Sequence, residues 1–160
     1  MSEVATLYDL KIKLTSSWLG NQRTRENVRR FRRDRDGKLA VDLAQWSWTF
    51  QQAAEALHMS DVDTDTIRPQ MNIDPPTLVL YRRNYTHKNK QQCEMFEAMR
   101  ENCVLTLKVL VTVTDKTDKY SPDLARLKDI FRFTGMFLGL SPWGGQYGYG
   151  RFDVEEITPL

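Results

Sequence analysis

Residues 139–154 read GLSPWGGQYGYGRFDV, and what flanks them decides the fold. Six of the chain's eight glycines lie between Gly135 and Gly150. Lacking a Cβ, Gly144, Gly145, Gly148 and Gly150 permit positive φ and the close approach of another backbone. Before the stretch stands a helix pattern. Ser121 suits a cap and Pro122 a first helical position, and Leu124, Leu127, Ile130, Phe131, Thr134 and Leu138 then share an apolar face. After it, residues 151–157, RFDVEEI, alternate as a strand does. Dinucleotide fingerprints and P-loops need the reverse order, strand then loop then helix N-terminus, and no G-K-[ST] is present. A nucleoside-triphosphate cradle is therefore excluded. The stretch is either a tight helix-to-strand crossover with its aromatics packed down or a backbone surface for a nucleic-acid strand. In the second case Trp143, Tyr147 and Tyr149 are the stacking candidates.

Further strands and one more helix complete the pattern. In residues 6–14, Tyr8, Leu10, Ile12 and Leu14 alternate with Asp9, Lys11 and Lys13, which predicts a half-buried strand. Residues 42–57 place Leu43, Trp46, Phe50, Ala53, Ala54 and Leu57 on one helical face behind a cap at Asp42. The acidic, proline-broken segment 59–76 reads as a connection, and residues 77–81, TLVLY, as the next strand. CVLTLKVLVTVT, 103–114, is dominated by β-branched residues and is the clearest strand of all. The order is βαββαβ, so the expected fold is α+β. It is a ferredoxin-like or RRM-like domain with an antiparallel sheet and both helices on one face. One domain is expected over 1–160, with a basic insertion at 21–38, a basic loop or hairpin at 82–92 and the glycine-rich loop at 139–150.

Composition sets the remaining bounds. At 160 residues, 41% hydrophobic and 28% charged, the chain has the make-up of a soluble globular domain. No apolar run reaches the roughly 20 residues that a membrane helix needs, and Glu3 and Asp9 interrupt any signal-peptide core. Cys93 and Cys103 are the two cysteines; they fit a reducing cytoplasm and form neither a disulfide framework nor a zinc pattern. Net charge is only +2, yet residues 21–38 hold seven arginines and one lysine against three acids. Such a local surplus attracts polyanions.

The segment NQRTRENVRRFRRDRDGK therefore supplies Arg23, Arg25, Arg29, Arg30, Arg32, Arg33 and Arg35 as candidate phosphate contacts, with Phe31 between them as a candidate stacking ring. The alternative is a solvated loop whose arginines pair with Glu26, Asp34 and Asp36, or an interface with an acidic protein. Its end, Asp36-Gly37, is a type I′ turn signal leading to a short strand at 39–41. A second cluster holds Arg82, Arg83, His87, Lys88 and Lys90, with Tyr81 and Tyr85 interleaved. It is either a second contact with the same strand or an ordinary exposed loop.

The tail resembles the RAMP superfamily, the RNA-binding subunits of CRISPR effector complexes. Their hallmark is a glycine-rich loop between the last helix and last strand of a ferredoxin-like domain. The tail is also similar to the ends of small phage-encoded proteins of that architecture, matched at Gly139-Leu140, Trp143 and Tyr149-Gly150-Arg151-Phe152-Asp153-Val154. The resemblance implies binding of RNA along the loop, with Trp143, Gly144, Gly145, Tyr147, Gly148, Tyr149 and Arg151 near the strand. It also implies self-association along that strand.

Catalysis is not expected. His58 stands at a helix end and His87 in a polar loop, neither with a carboxylate at a telling spacing. Asp61, Asp63 and Asp65 lack the glycine and terminal glutamate of an EF-hand, so they read as a solvated linker. No metal and no cofactor are expected. The leading expectation is a non-catalytic phage protein in the cytoplasm of an infected bacterial host, coating RNA or single-stranded DNA. The alternatives are an anti-CRISPR protein that mimics a backbone subunit and binds host effector proteins, and a phage structural or assembly protein.

Overall fold

The computed structural model describes residues 5–40, 43–69, 72–74, 76–140 and 148–160. Its centre is β1, Ala5–Leu14, where side-chain alternation buries Tyr8, Leu10, Ile12 and Leu14. β1 pairs antiparallel with β10, Val104–Thr112, and with β11, Phe152–Pro159. A three-residue strand, β6, Ile67–Pro69, extends the sheet beyond β10. The order β11-β1-β10-β6 is antiparallel throughout, and helices fall between β1 and β6 and between β10 and β11. This is the ferredoxin-like α+β arrangement expected from the sequence.

Helix α1, Leu43–Ala56, and helix α2, Leu124–Phe133, meet over the sheet. Their contact is aromatic: Phe50 and Trp46 both meet Phe131 edge-on, at ring distances of 5.0 and 6.2 Å. Trp46, Phe50, Ala53 and Ala54 are buried as the 3.6 period requires; Asp42, the expected cap, lies outside the described residues. The start of α2 differs from expectation. Asp123 is the cap, accepting from Arg126 N–H at 2.9 Å, which leaves Pro122 outside and Leu124 38% exposed. Ser121 instead donates to Thr112 O (2.6 Å) and accepts from Thr114 N–H (3.1 Å), closing the end of β10.

α2 continues into a π-helical turn, Thr134–Leu138. There Gly135 passes so close to β11 that a Cβ would collide with the Phe152 carbonyl and meet its ring at 2.6 Å. The turn ends at Gly139, and the neck of the glycine loop is then drawn shut. Leu140 N–H donates to Gly150 O (3.0 Å) and Gly150 N–H to Ser17 O (2.8 Å), with Gly148 and Gly150 at φ 81° and 67°.

The second strand of the core was expected at 77–81; it is β6, inside the segment read as a connection. Residues 77–81 instead open a second sheet. β8, Leu78–His87, and β9, Lys90–Met99, form a ten-residue-a-side hairpin around Lys88-Asn89, both at positive φ. Positive φ at two central residues is the type I′ geometry. The other edge of β9 takes β2, Trp18–Leu19, antiparallel, and β4, Val28–Arg30, parallel. β3, Gln22–Arg23, pairs with β4. A two-stranded ladder joins β5, Leu39–Ala40, to β7, Asn72–Ile73. The Asp36-Gly37 turn is not type I′, because only Gly37 has positive φ (79°). Asp34 Oδ1 accepts from Asp36 N–H and Lys38 N–H and builds a wider turn.

Two expectations for polar segments also change. Asp63 is not solvated but buried, capping a 3₁₀ turn at Thr64–Thr66. It accepts from Thr114 Oγ1 (2.6 Å) and pairs with Lys116 (3.3 Å), so the D-x-D-x-D run pins the loop before α2. Phe31 is buried too, edge-on to Trp18 at 5.6 Å in the main core, and offers no ring to a ligand.

Candidate nucleic-acid interface

The outer face of the first sheet carries Leu7, Asp9, Lys11 and Lys13 from β1, and Val104, Thr106, Lys108 and Leu110 from β10. Asp9 pairs with Lys108 at 3.4 Å. No aromatic ring stands at these positions, so the stacking platform of an RRM is missing from them. Arginines paired with aromatic rings stand on the second sheet instead.

Strand period two decides where each arginine goes. Arg29 and Arg30 are neighbours on β4 and therefore point to opposite faces. β9 supplies an acid on each face. On one, Glu97 (5% exposed) accepts from Phe31 N–H (3.0 Å), Arg30 Nη1 (3.2 Å) and Arg33 Nη2 (2.8 Å). Burial pushes the Glu97 carboxyl up, but the Arg33 and Phe31 hydrogen bonds and Arg30 outweigh it and hold it below the usual range. Arg30 also reaches Glu26 at 2.9 Å. Gly20 makes room for this strand, since a Cβ there would strike the Arg30 backbone. Arg30 and Arg33 therefore fasten the segment to the hairpin. Of the pairings expected with Glu26, Asp34 and Asp36, the Glu26 pair forms.

On the other face Arg23, Arg29, Phe96 and Tyr81 stand in one cross-strand row, since the register pairs 23 with 29, 29 with 96 and 96 with 81. The Arg29 guanidinium lies 5.8 Å from the Phe96 ring centre and 3.1 Å from Glu94. Tyr85 O–H donates to Glu94 Oε1 at 2.7 Å, and the Arg83 guanidinium sits 5.0 Å over the Tyr85 ring. The end of the glycine loop closes on the same face: Tyr149 packs edge-on to Tyr81 at 5.7 Å, hydroxyls 3.1 Å apart. Burial, then the Tyr81 hydroxyl, push the Tyr149 phenol up; the Glu94 hydrogen bond does the same to Tyr85.

The remaining candidates are spread more widely. Arg25 is exposed on the β3–β4 turn, and Arg32 and Arg35 are exposed around the Asp34 turn. Arg82 lies on the opposite face from Arg83, its Nε 2.9 Å from Cys93 Sγ. Lys88 and Lys90 are exposed at the hairpin tip, and Arg151 is half-buried, its N–H donating to Ser16 Oγ. Trp143, Gly144, Gly145 and Tyr147 lie outside the described residues. Sequence reasoning missed Glu94 and Glu97, which organise the arginines. Their separation of three is uninformative until β9 is known to be a strand paired with β4.

No family model matches the sequence, and no curated protein does. Among solved structures the chain is similar to one in the cryo-EM structure of the Type III-B Cmr-beta bound to cognate target RNA. The TM-score is 0.62 at 10% identity, over 98% of this chain and 61% of that one. The chain thus spans less than two thirds of the protein it matches. At that identity the likeness shows the fold alone, the ferredoxin-like α+β arrangement described above.

Proposed function

We propose that the chain binds single-stranded nucleic acid, RNA or single-stranded DNA, without cleaving it, and coats the strand as an oligomer. One observation carries the proposal. Three segments distant in sequence, the arginine stretch, the β8–β9 hairpin and the end of the glycine loop, converge on one sheet face at Arg23, Arg29, Arg83, Tyr81, Tyr85 and Tyr149. Guanidiniums interleaved with rings suit a backbone and its bases. A fold similar to that of a chain from an RNA-bound assembly adds weight. The placement of the chain in a phage rests on the tail's resemblance alone.

Anisotropy of a labelled oligonucleotide at two salt concentrations tests it. With the three guanidiniums of this face each on a phosphate, the slope of log affinity on log salt is about −2, at roughly −0.7 per phosphate for single strands. Arg23→Ala is expected to make that slope shallower by about 0.7. Absence of binding at low salt, or binding indifferent to salt, overturns the proposal.

A second reading is favoured by the internal pairing of Arg29, Arg30 and Arg33 with Glu94 and Glu97. Those guanidiniums are partly neutralised, and a RAMP-like surface of that kind suits docking into a host effector assembly. Copurification with effector subunits and no affinity for bare nucleic acid would select it.

A further inference from the structure

Where β4 leaves β9, the β3–β4 turn stands away from the hairpin and leaves a cleft of about 310 Å³, at the small end of ligand sites. Its rim carries Arg23, for which the described residues provide no acceptor. Val28 and Met95, directly paired across the ladder, supply its apolar wall. Thr24, Asn27, Arg29 and Glu94 complete its polar lining. The turn is held rigid: Thr24 Oγ1 donates to Val28 O at 2.7 Å, and Asn27 occupies the left-handed region at φ 59°.

Glu94 is the informative member. Its Oε1 accepts from Tyr85, but the buried Oε2 receives no hydrogen bond. Arg29 Nε lies 3.1 Å from Oε2 and supplies charge without the alignment of a donor. The Glu94 side chain lines the cleft at 22% exposure, and its carboxylate, with the one hydrogen bond from Tyr85, keeps acceptor capacity for a ligand that brings an N–H. The Asn27 carboxamide beside it can donate in return. A flat molecule with an amino group next to a ring acceptor satisfies both groups, and an anionic group attached to it would meet Arg23.

We propose that this cleft takes one nucleobase of the bound strand, cytosine or adenine, with Glu94 and Asn27 reading its edge. The inference rests on the nucleic-acid reading above. Cytosine offers its N4 amino group to the carboxylate and its N3 to the carboxamide; adenine does the same with N6 and N1. Uracil reverses the pattern, presenting carbonyl oxygens on both sides of its single N–H, and a carboxylate repels them.

Cys93 lines the same cleft and is exposed, so the native protein carries its own reporter. Cys103 is partly buried and its thiol is pushed up by burial, which slows its reaction. The experiment compares oligocytidylate with oligouridylate of equal length, reading affinity by anisotropy and Cys93 accessibility by N-ethylmaleimide labelling. The expected result is roughly tenfold tighter binding of oligocytidylate, the scale of one base-edge pair, with Cys93 protected. Glu94→Gln is expected to remove or invert the preference, because its amide can donate to a uracil carbonyl. Should that variant fold poorly, labelling Cys93 of the wild type beforehand is expected to erase the preference while salt-dependent binding persists. Equal affinity for the two oligonucleotides with Cys93 reactivity unchanged overturns the inference and leaves the proposed function standing. Failure of both oligonucleotides to bind at low salt overturns both.

Discussion

Replacing Glu97 by alanine removes the acceptor for three donors at once. The Phe31 N–H is buried and would be stranded, which costs about 1–3 kcal/mol. Arg30 and Arg33 side chains are 35% and 38% exposed, so their guanidiniums turn to water and their loss adds little. A destabilisation of about 1–3 kcal/mol follows. At about 2–4 °C per kcal/mol for a chain of this size, the melting midpoint falls by roughly 2–12 °C. Calorimetry measures the shift, and amide exchange at Phe31 locates it. Glu97→Gln adds a pH signature. The wild-type carboxyl is held below its unfolded value of about 4.3, so its contribution is complete above that pH and disappears as pH falls through the folded value. The gap between wild type and Glu97→Gln should therefore narrow in acid. A shift of under about 1 °C in Glu97→Ala, with Phe31 exchange unchanged, would refute the role given to this carboxylate.

Other perturbations have equally definite outcomes. Gly135→Ala drives a methyl into the Phe152 carbonyl and ring, and the overpacking should cost at least about 1–3 kcal/mol by urea denaturation; an unchanged midpoint would show that the π turn yields freely. Asp63→Asn removes a carboxyl that burial pushes up but Thr114, Asp65 N–H and Lys116 hold lower overall; the wild type should lose this contribution only as pH falls through the folded value, whereas the variant shows no such acid limb. In a spectrophotometric titration Tyr149 and Tyr85 should ionise above the ordinary tyrosine value of about 10. Their stabilisation is complete below that pH and lost as pH rises through the folded values, and Tyr149→Phe should delete one of the late phases.

The core of the fold was legible where side-chain periodicity matches one-sided burial. β1, β10 and β11 alternate because one face meets the helices, and α1 and α2 repeat at 3.6 for the same reason. β6 was illegible: three residues ending in Pro69 give no period, and its partner β10 defines it. β9 reads KQQCEMFEAM, without a β-branched residue, and is a strand because β8 folds back on it through the Lys88-Asn89 turn. The candidate site suffered from the same gap. The arginines were visible as a charge surplus, but which of them point outward depends on strand parity. Phe31 looked like an exposed ring because its neighbours are charged, whereas the Arg30 and Arg33 bonds to Glu97 turn it toward Trp18.

The central position of β1 has a consequence for the order of assembly. Its ladder partners are residues 104–112 and 152–159, so the first sheet cannot close until the last strand has been synthesised. At about 5–20 residues per second the interval from Leu14 to Phe152 lasts roughly seven to thirty seconds. The β8–β9 hairpin, closed by two residues, forms within about ten microseconds of its emergence. Until then Arg29, Arg30 and Arg33 lack the acids that hold them. The nascent chain thus passes through a period in which its arginines are uncompensated while it is still attached to a ribosome made largely of RNA. Pulse-labelled amide exchange should find protection in 78–99 before 5–14, with 22–30 protected only once Glu94 and Glu97 are in place.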